Sequence, residues 1–170
     1  MKDKRRTYII CSCAGILILI LIDQFTKYLA QVYLRGAEDK VWIPRVFRLH
    51  YLENRGAAFG LLQDQRLIFL ILCVLFLGVA AWFLAHMPAV SRYIPLYAIA
   101  SGLSAGAAGN GIDRLFRGYV VDFFYFSLID FPVFNMADIY VVVSGFFLVW
   151  CVCFVYKEEE LTFMQWKRGG

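Results

Sequence analysis

Long uncharged apolar runs alternate along the chain with shorter polar segments. Leu67–Ala85, Ile94–Ile112 and Ile139–Tyr156 contain no Asp, Glu, Lys or Arg. Each run holds 18 or 19 residues, close to the roughly 20 with which a helix crosses about 30 Å of hydrocarbon. A fourth run is uncharged from Tyr8 to Ile22 and continues past Asp23 to Leu34. The pattern predicts one integral membrane domain over residues 1–170, with spans at about 8–33, 67–86, 93–114 and 137–156. Between them lie extramembrane segments at about 35–65 and 115–136. The first segment carries apolar patches, Val41-Trp42-Ile43 and Phe47–Leu52, broken by Pro44 and Gly56. These suit a small amphipathic sheet lying on the membrane. The expected fold class is an all-α membrane protein with minor β: four transmembrane helices and a small extracytoplasmic β-like segment.

Composition agrees with a bilayer environment. Of 170 residues, 61% are hydrophobic, and the mean hydropathy is +0.65, more than a soluble domain of this size requires. The net charge of +4 is attributed to anionic headgroups; no basic motif indicates nucleic acid. Lys2, Lys4, Arg5 and Arg6 open the chain like a secretory signal, but the apolar run is too long and no A-x-A-like cleavage site follows. An uncleaved anchor with a cytosolic basic flank is expected. Arg35, Lys40, Arg45, Arg48, Arg55 and Arg66 pull the other way, so charge bias alone leaves orientation open. Cys11, Cys13, Cys73, Cys151 and Cys153 all fall inside predicted spans and are expected to be buried, inert thiols. Residues two apart on a helix diverge, so neither C-x-C pair suits a tetrahedral metal site. The tail Leu161–Lys167 mixes apolar and basic residues and is expected at the interface.

Helix 3 is nearly all small from Ser101 to Gly109, including Gly102-xxx-Gly106. Such residues let helix backbones approach closely in lipid, which places helix 3 at the bundle centre. With four spans, Asp23 and Lys27, then Asn110, Asp113 and Arg114, then Asp138 all fall toward one membrane face. Intramembrane charges are costly, so this clustering points to a functional site. Asp23 and Lys27 stand at i and i+4, where a helix-surface ion pair is the simpler reading. Asn110, Asp113 and Arg114 share a face and could cap the helix end. Asp138 could be a helix N-terminal acid favoured by the dipole.

Asp122 is harder to explain structurally, because it interrupts the otherwise apolar run Val120–Phe126. A carboxylate there is costly unless paired or used. Asp138 is the nearest candidate partner. Two carboxyls across a low-dielectric pocket share a proton, so one can activate water while the other donates to a peptide carbonyl. His50 and His86 are predicted on opposite faces, and no Ser has a Lys or His partner at identifiable spacing. A proton-coupled transporter would spread its carboxylates through the membrane depth and often contain repeats. A non-catalytic assembly factor docking through helix 3 would leave Asp122 unexplained.

At these positions the sequence resembles signal peptidase II, the bacterial lipoprotein signal peptidase family. The motifs occur in order as Asp23-Gln-Phe-Thr-Lys27, Glu53-Asn54-Arg55-Gly56-Ala57-Ala58-Phe59, Gly109-Asn110-Gly-Ile-Asp113-Arg114, Val121-Asp122-Phe123 and Phe134-Asn135-Met136-Ala137-Asp138. Five motifs in order carry far more weight than any one alone. The resemblance implies an aspartic endopeptidase that removes the signal peptide from diacylglyceryl-modified prolipoproteins, cutting before the lipidated Cys. It implies Asp122 and Asp138 as the catalytic dyad, and Asp23, Lys27, Asn54, Gly56, Asn110, Arg114 and Asn135 as substrate-binding or supporting residues. It further implies no cofactor or metal, contact with membrane lipids, inhibition by globomycin-type peptides and a monomer. The expected location is the bacterial cytoplasmic membrane, multi-pass, with both termini cytoplasmic and the active site extracytoplasmic. Gly111 stands where the family more often has a bulkier residue. A cleft opening sideways, lined by Phe59, Phe123, Phe124 and Phe126 and covered by segment 35–65, would suit a lipidated peptide.

Overall fold

The computed structural model describes residues 2–56 and 65–164. Phe59, and with it Ala57 and Ala58 of the second motif, lies outside the described residues. The elements run α1 (Lys2–Tyr33), β1 (Lys40–Ile43), β2 (Phe47–Asn54), α2 (Arg66–His86), α3 (Ile94–Phe116), β3 (Val120–Tyr125) and α4 (Met136–Trp150). A π-helical turn, Cys151–Val155, extends α4, and 3-10 turns cover Ser91–Tyr93 and Glu158–Met164. The molecule is thus mostly helical with one small sheet, as the hydropathy pattern requires.

Among the described residues, three helical stretches are long and apolar enough to cross a membrane: Lys4–Tyr33, Arg66–His86 and Met136–Val155. Their outer faces are unsuited to water. On α2, Leu67 is 70% exposed, Val74 69% and Val79 66%, and lipid is the solvent in which such a surface is stable. The four predicted spans become three by this measure, because α3 is less apolar. Its small and polar residues are covered by protein, with Ser101, Gly102, Ser104, Ala105, Gly106 and Gly109 among those buried. A helix shielded by its neighbours has no need of a lipid-facing surface.

Successive helices run in opposite directions. Tyr8 stacks on Tyr97, and further along both helices Lys27 meets Asn110, so α1 and α3 are parallel. Arg66 at the start of α2 donates to Leu115 O at the end of α3, 2.5 Å away, so these two are antiparallel. α4 runs down α3 from Gly106, where an added Cβ would lie 2.5 Å from Ala137 O and 2.6 Å from Val141 Cγ2. Glycine is required there by the close approach, as expected for a central helix.

At one end of the bundle, Leu84, Met87, Leu96, Tyr97, Cys151 and Tyr156 form a core. Leu161 and Phe163 pack onto it, so the described part of the tail is anchored to this end of the bundle. At the other end Ala30, Leu34, Val121 and Phe123 join α1 to the sheet. The cysteines differ from expectation: Cys11, Cys13 and Cys153 are exposed and only Cys151 is buried. A small apolar thiol on a lipid-facing surface loses little by it.

The sheet has the antiparallel order β1-β2-β3. β1 and β2 fall on the two apolar patches of the first extramembrane segment, whereas β3 was not legible as a strand. β3 ties the second extramembrane segment to the first, and its residues Val120–Phe123 are all buried.

Candidate active site

Strand register aims Asp122. Leu52 pairs with Asp122 and Asn54 with Val120, so Asn54 lies on the same face as Asp122 and diagonal to it, within side-chain reach. Asn54 Nδ2 donates to Asp122 Oδ2 at 2.8 Å, while Asn54 Oδ1 accepts from Gly56 N at 3.0 Å. The amide therefore has one orientation. Val121, on the opposite face, packs against α1.

Asn135 and Asp138 are placed by the start of α4. Asn135 is the N-cap and accepts from Asp138 N, while Asp138 Oδ2 accepts from Asn135 N at 3.0 Å. This reciprocal pair satisfies two helix-end donors. The structural reading of Asp138 thus holds, but accounts for one oxygen only. Asp138 Oδ1 accepts from Asn110 Nδ2 at 2.8 Å. Asn135 Nδ2 donates to Asp122 Oδ1 at 2.6 Å and to Asn110 Oδ1 at 3.1 Å. The two asparagines bridge the two carboxyl groups.

Beneath them lies a buried ion cluster. Asp23 and Lys27 are each 0% exposed, which corrects their reading as a helix-surface ion pair. The isolated-helix spacing could not reveal that α3 and α4 close over them. Lys27 Nζ meets Asp23 Oδ2 at 2.9 Å, Asp113 Oδ2 at 3.0 Å and Asn110 Oδ1 at 2.9 Å. All three ammonium donors are used. Asp23 Oδ1 accepts from Ala137 N at 3.0 Å, pinning the first turn of α4. Asp113 Oδ2 accepts from Val121 N at 3.2 Å, pinning β3. Gln24 bonds Asp23, Gly109 O and Asp113, and Arg117 bonds Asp113 and Gln24. Gln24 and Arg117 were not anticipated; the i, i+4 spacing of Arg117 from Asp113 was the available signal.

Asp122 and Asp138 line the same cavity, of about 1200 Å³, with Asn54, Gly56, Asn110 and Arg114. Arg114 donates to Gly56 O at 3.0 Å and lies over the Phe69 ring, 4.3 Å from its centroid. One wall is apolar, from Phe131, Phe134, Ile139, Val142 and Val143. Phe123, Phe124 and Phe126 do not line it. Alternation sends Phe123 into the core against α1, and Phe124 and Phe126 pack on Phe134. Val142 is 69% exposed on the outer surface of α4, so this wall is continuous with the lipid-facing side. Burial foremost, then the charge of Asp138, pushes the Asp122 carboxyl up to about 7, against the pull of its Asn54 and Asn135 hydrogen bonds.

The sequence model of the family described as signal peptidase (SPase) II matches residues 15–154. The chain belongs to the signal peptidase II family. A lipoprotein signal peptidase of Streptococcus pyogenes serotype M5 (strain Manfredo) is 35% identical over 157 residues, 92% of this chain and 97% of the relative. Its counterpart in serotype M18 (strain MGAS8232) matches to the same extent. A solved structure described as a bacterial membrane enzyme, obtained by the in meso method at 2.3 Å, superposes with a TM-score of 0.75. That similarity covers 94% of each chain at 25% identity. Another described in the same words, at 1.9 Å, gives 0.74 at 26% identity over 86% of this chain and 94% of that one. The chain is therefore a protease and a bacterial membrane protein.

Proposed function

We propose that the chain is an aspartic endopeptidase that removes the signal peptide from diacylglyceryl-modified prolipoproteins. The cut falls just before the lipidated Cys, with Asp122 and Asp138 as the dyad. The observation that carries this reading is the pair of carboxyl groups facing one cavity through a shared asparagine bridge. Asp138 takes a proton from the attacking water. Asp122, whose raised affinity for a proton keeps it protonated near neutrality, hydrogen-bonds the scissile carbonyl and then protonates the leaving amine. Asn54, Asn110 and Asn135 hold the carboxyls in fixed orientation. Asp23 and Lys27 hold Asn110 and the α4 start, and Arg114 anchors Gly56 at the cavity edge.

The substrate suits the cavity's two characters. Acyl chains run along the apolar wall of α4, and the peptide lies across the polar floor. The whole chain acts as one membrane domain of four spans, a monomer in the bacterial cytoplasmic membrane. Both termini are cytoplasmic, and the sheet and dyad are extracytoplasmic. Globomycin-type cyclic peptides compete for the cavity. The test is cleavage of a lipidated prolipoprotein by purified protein. Asp122→Asn and Asp138→Asn are each expected to lower the rate by at least about 100-fold, the lower end of a general acid or base contribution, with the thermal transition retained. Near-parental cleavage by either variant removes that residue from the dyad. Proton flux in proteoliposomes without cleavage would instead restore the transporter reading.

A further inference from the structure

We infer that Arg117, outside the cavity, is a positioning residue that sets the geometry and charge of both halves of the dyad. The inference rests on the dyad reading above. Its starting point is a charge count. Asp23, Asp113 and Lys27 are fully buried and together carry one negative charge too many. Arg117 Nη1 meets Asp113 Oδ1 and brings the cluster to neutrality. A buried carboxylate without such compensation is strongly disfavoured.

Two chains of hydrogen bonds leave Asp113, one toward each catalytic carboxyl. Asp113 Oδ2 holds Lys27, Lys27 donates to Asn110 Oδ1, and Asn110 Nδ2 donates to Asp138 Oδ1. The same Asp113 oxygen accepts from Val121 N, the residue that precedes Asp122 on β3. Arg117 occupies the other Asp113 oxygen, together with Gln24 Nε2 at 3.1 Å. It also donates to Gln24 Oε1 at 3.1 Å, which fixes that amide so that its NH2 group faces Asp23, Gly109 O and Asp113.

With Arg117 gone, Lys27 is, among the described residues, the one cation still in contact with the two carboxylates. It is drawn from Asn110 toward them, and the Asn110 Oδ1 atom keeps only its weaker Asn135 donor at 3.1 Å, so the amide that holds Asp138 is less firmly fixed. An uncompensated negative charge then stands behind the dyad. Facing Asp122 from the other elements are Asp138 on α4, Asn54 on β2, Arg114 on α3, Lys27 on α1 and the Asn135 N-cap. Among these, Lys27 is the group whose influence changes. Weaker compensation favours the protonated carboxyl.

The experiment measures cleavage of a lipidated prolipoprotein by Arg117→Gln, Arg117→Lys and the parent across pH, per folded molecule. Arg117→Gln is expected to lose about tenfold in kcat with KM within about twofold, since Arg117 does not line the cavity. Its alkaline limb is expected to move up by about half a pH unit, and Arg117→Lys to restore most of both. A lower melting temperature with an unmoved limb and parental kcat would reduce Arg117 to a structural role and overturn the inference. If the dyad variants are inactive while Arg117→Gln behaves as the parent, this inference alone fails. If the dyad variants remain active, the dyad reading fails first.

Discussion

An Asp side chain ordinarily loses its proton near pH 3.8, whereas Asp122, 2% exposed and facing Asp138, holds it up to about 7. Between those values the folded protein binds a proton that the unfolded chain has released. The contribution of Asp122 to stability is therefore fully present below pH 3.8 and is lost as pH rises to about 7. At ~1.4 kcal/mol per unit, the loss amounts to a few kcal/mol, a large fraction of a typical folding free energy. An amide at this position does not titrate. The melting temperature of Asp122→Asn minus that of the parent is expected to rise from pH 4 to 7 and then level. A difference independent of pH would show that Asp122 titrates normally. The same proton serves the proposed chemistry, so parental kcat/KM is expected to fall on the alkaline side with a midpoint near pH 7. A profile flat to pH 9 would exclude Asp122 as the acid.

Among the elements, α3 decides how the dyad is held, because every other helix closes on it. Gly106 has no room for a methyl group: the added carbon would meet Ala137 O at 2.5 Å and Val141 Cγ2 at 2.6 Å, and one of these is backbone. Gly106→Ala is expected to push the start of α4 outward, costing about 1–3 kcal/mol. Because Asp138 rides on that turn, its bond to Asn110 lengthens and cleavage falls. Gly78→Ala on α2, with nothing within 4 Å, is the control. It is expected to stabilise by about 0.5–1 kcal/mol through helix propensity alone. Equal behaviour of the two variants in thermal unfolding would deny α3 its close contact. Helix boundaries and the small-residue face were legible in the sequence, because apolar run length and residue size are local properties. β3 was not. Covered on both sides, it lacks the alternation of a half-exposed strand, and Asp122 breaks its apolar run. Nor did the i, i+4 spacing of Asp23 and Lys27 reveal their burial, since the third partner, Asp113, comes from a helix distant in sequence.

At the scale of the whole molecule the question is which ends of the bundle face which side of the membrane. α3 alone is a poor membrane segment, carrying Ser101, Ser104, Asn110 and Asp113, yet it lies beside α2 from end to end. Arg66 and Leu115 meet at one end, while the Tyr97 hydroxyl on α3 bonds Met87 O just past the end of α2 at the other. α2 is 21 residues long and rises about 32 Å, enough to cross the hydrocarbon. On the four-span reading proposed above, an antiparallel partner of the same reach crosses it too, with its polar groups covered by α1, α2 and α4. Val90, between α2 and α3, and Leu128, between β3 and α4, then face opposite sides, and both are exposed, at 51% and 66%. In a chain with its five cysteines replaced by Ala, Leu128→Cys is expected to react with a membrane-impermeant maleimide on intact cells. Val90→Cys is expected to react only after the membrane is opened. Reaction of both from the outside would mean that α3 does not cross. The reverse pattern would place the sheet and the dyad in the cytoplasm, on the wrong side for the proposed reaction.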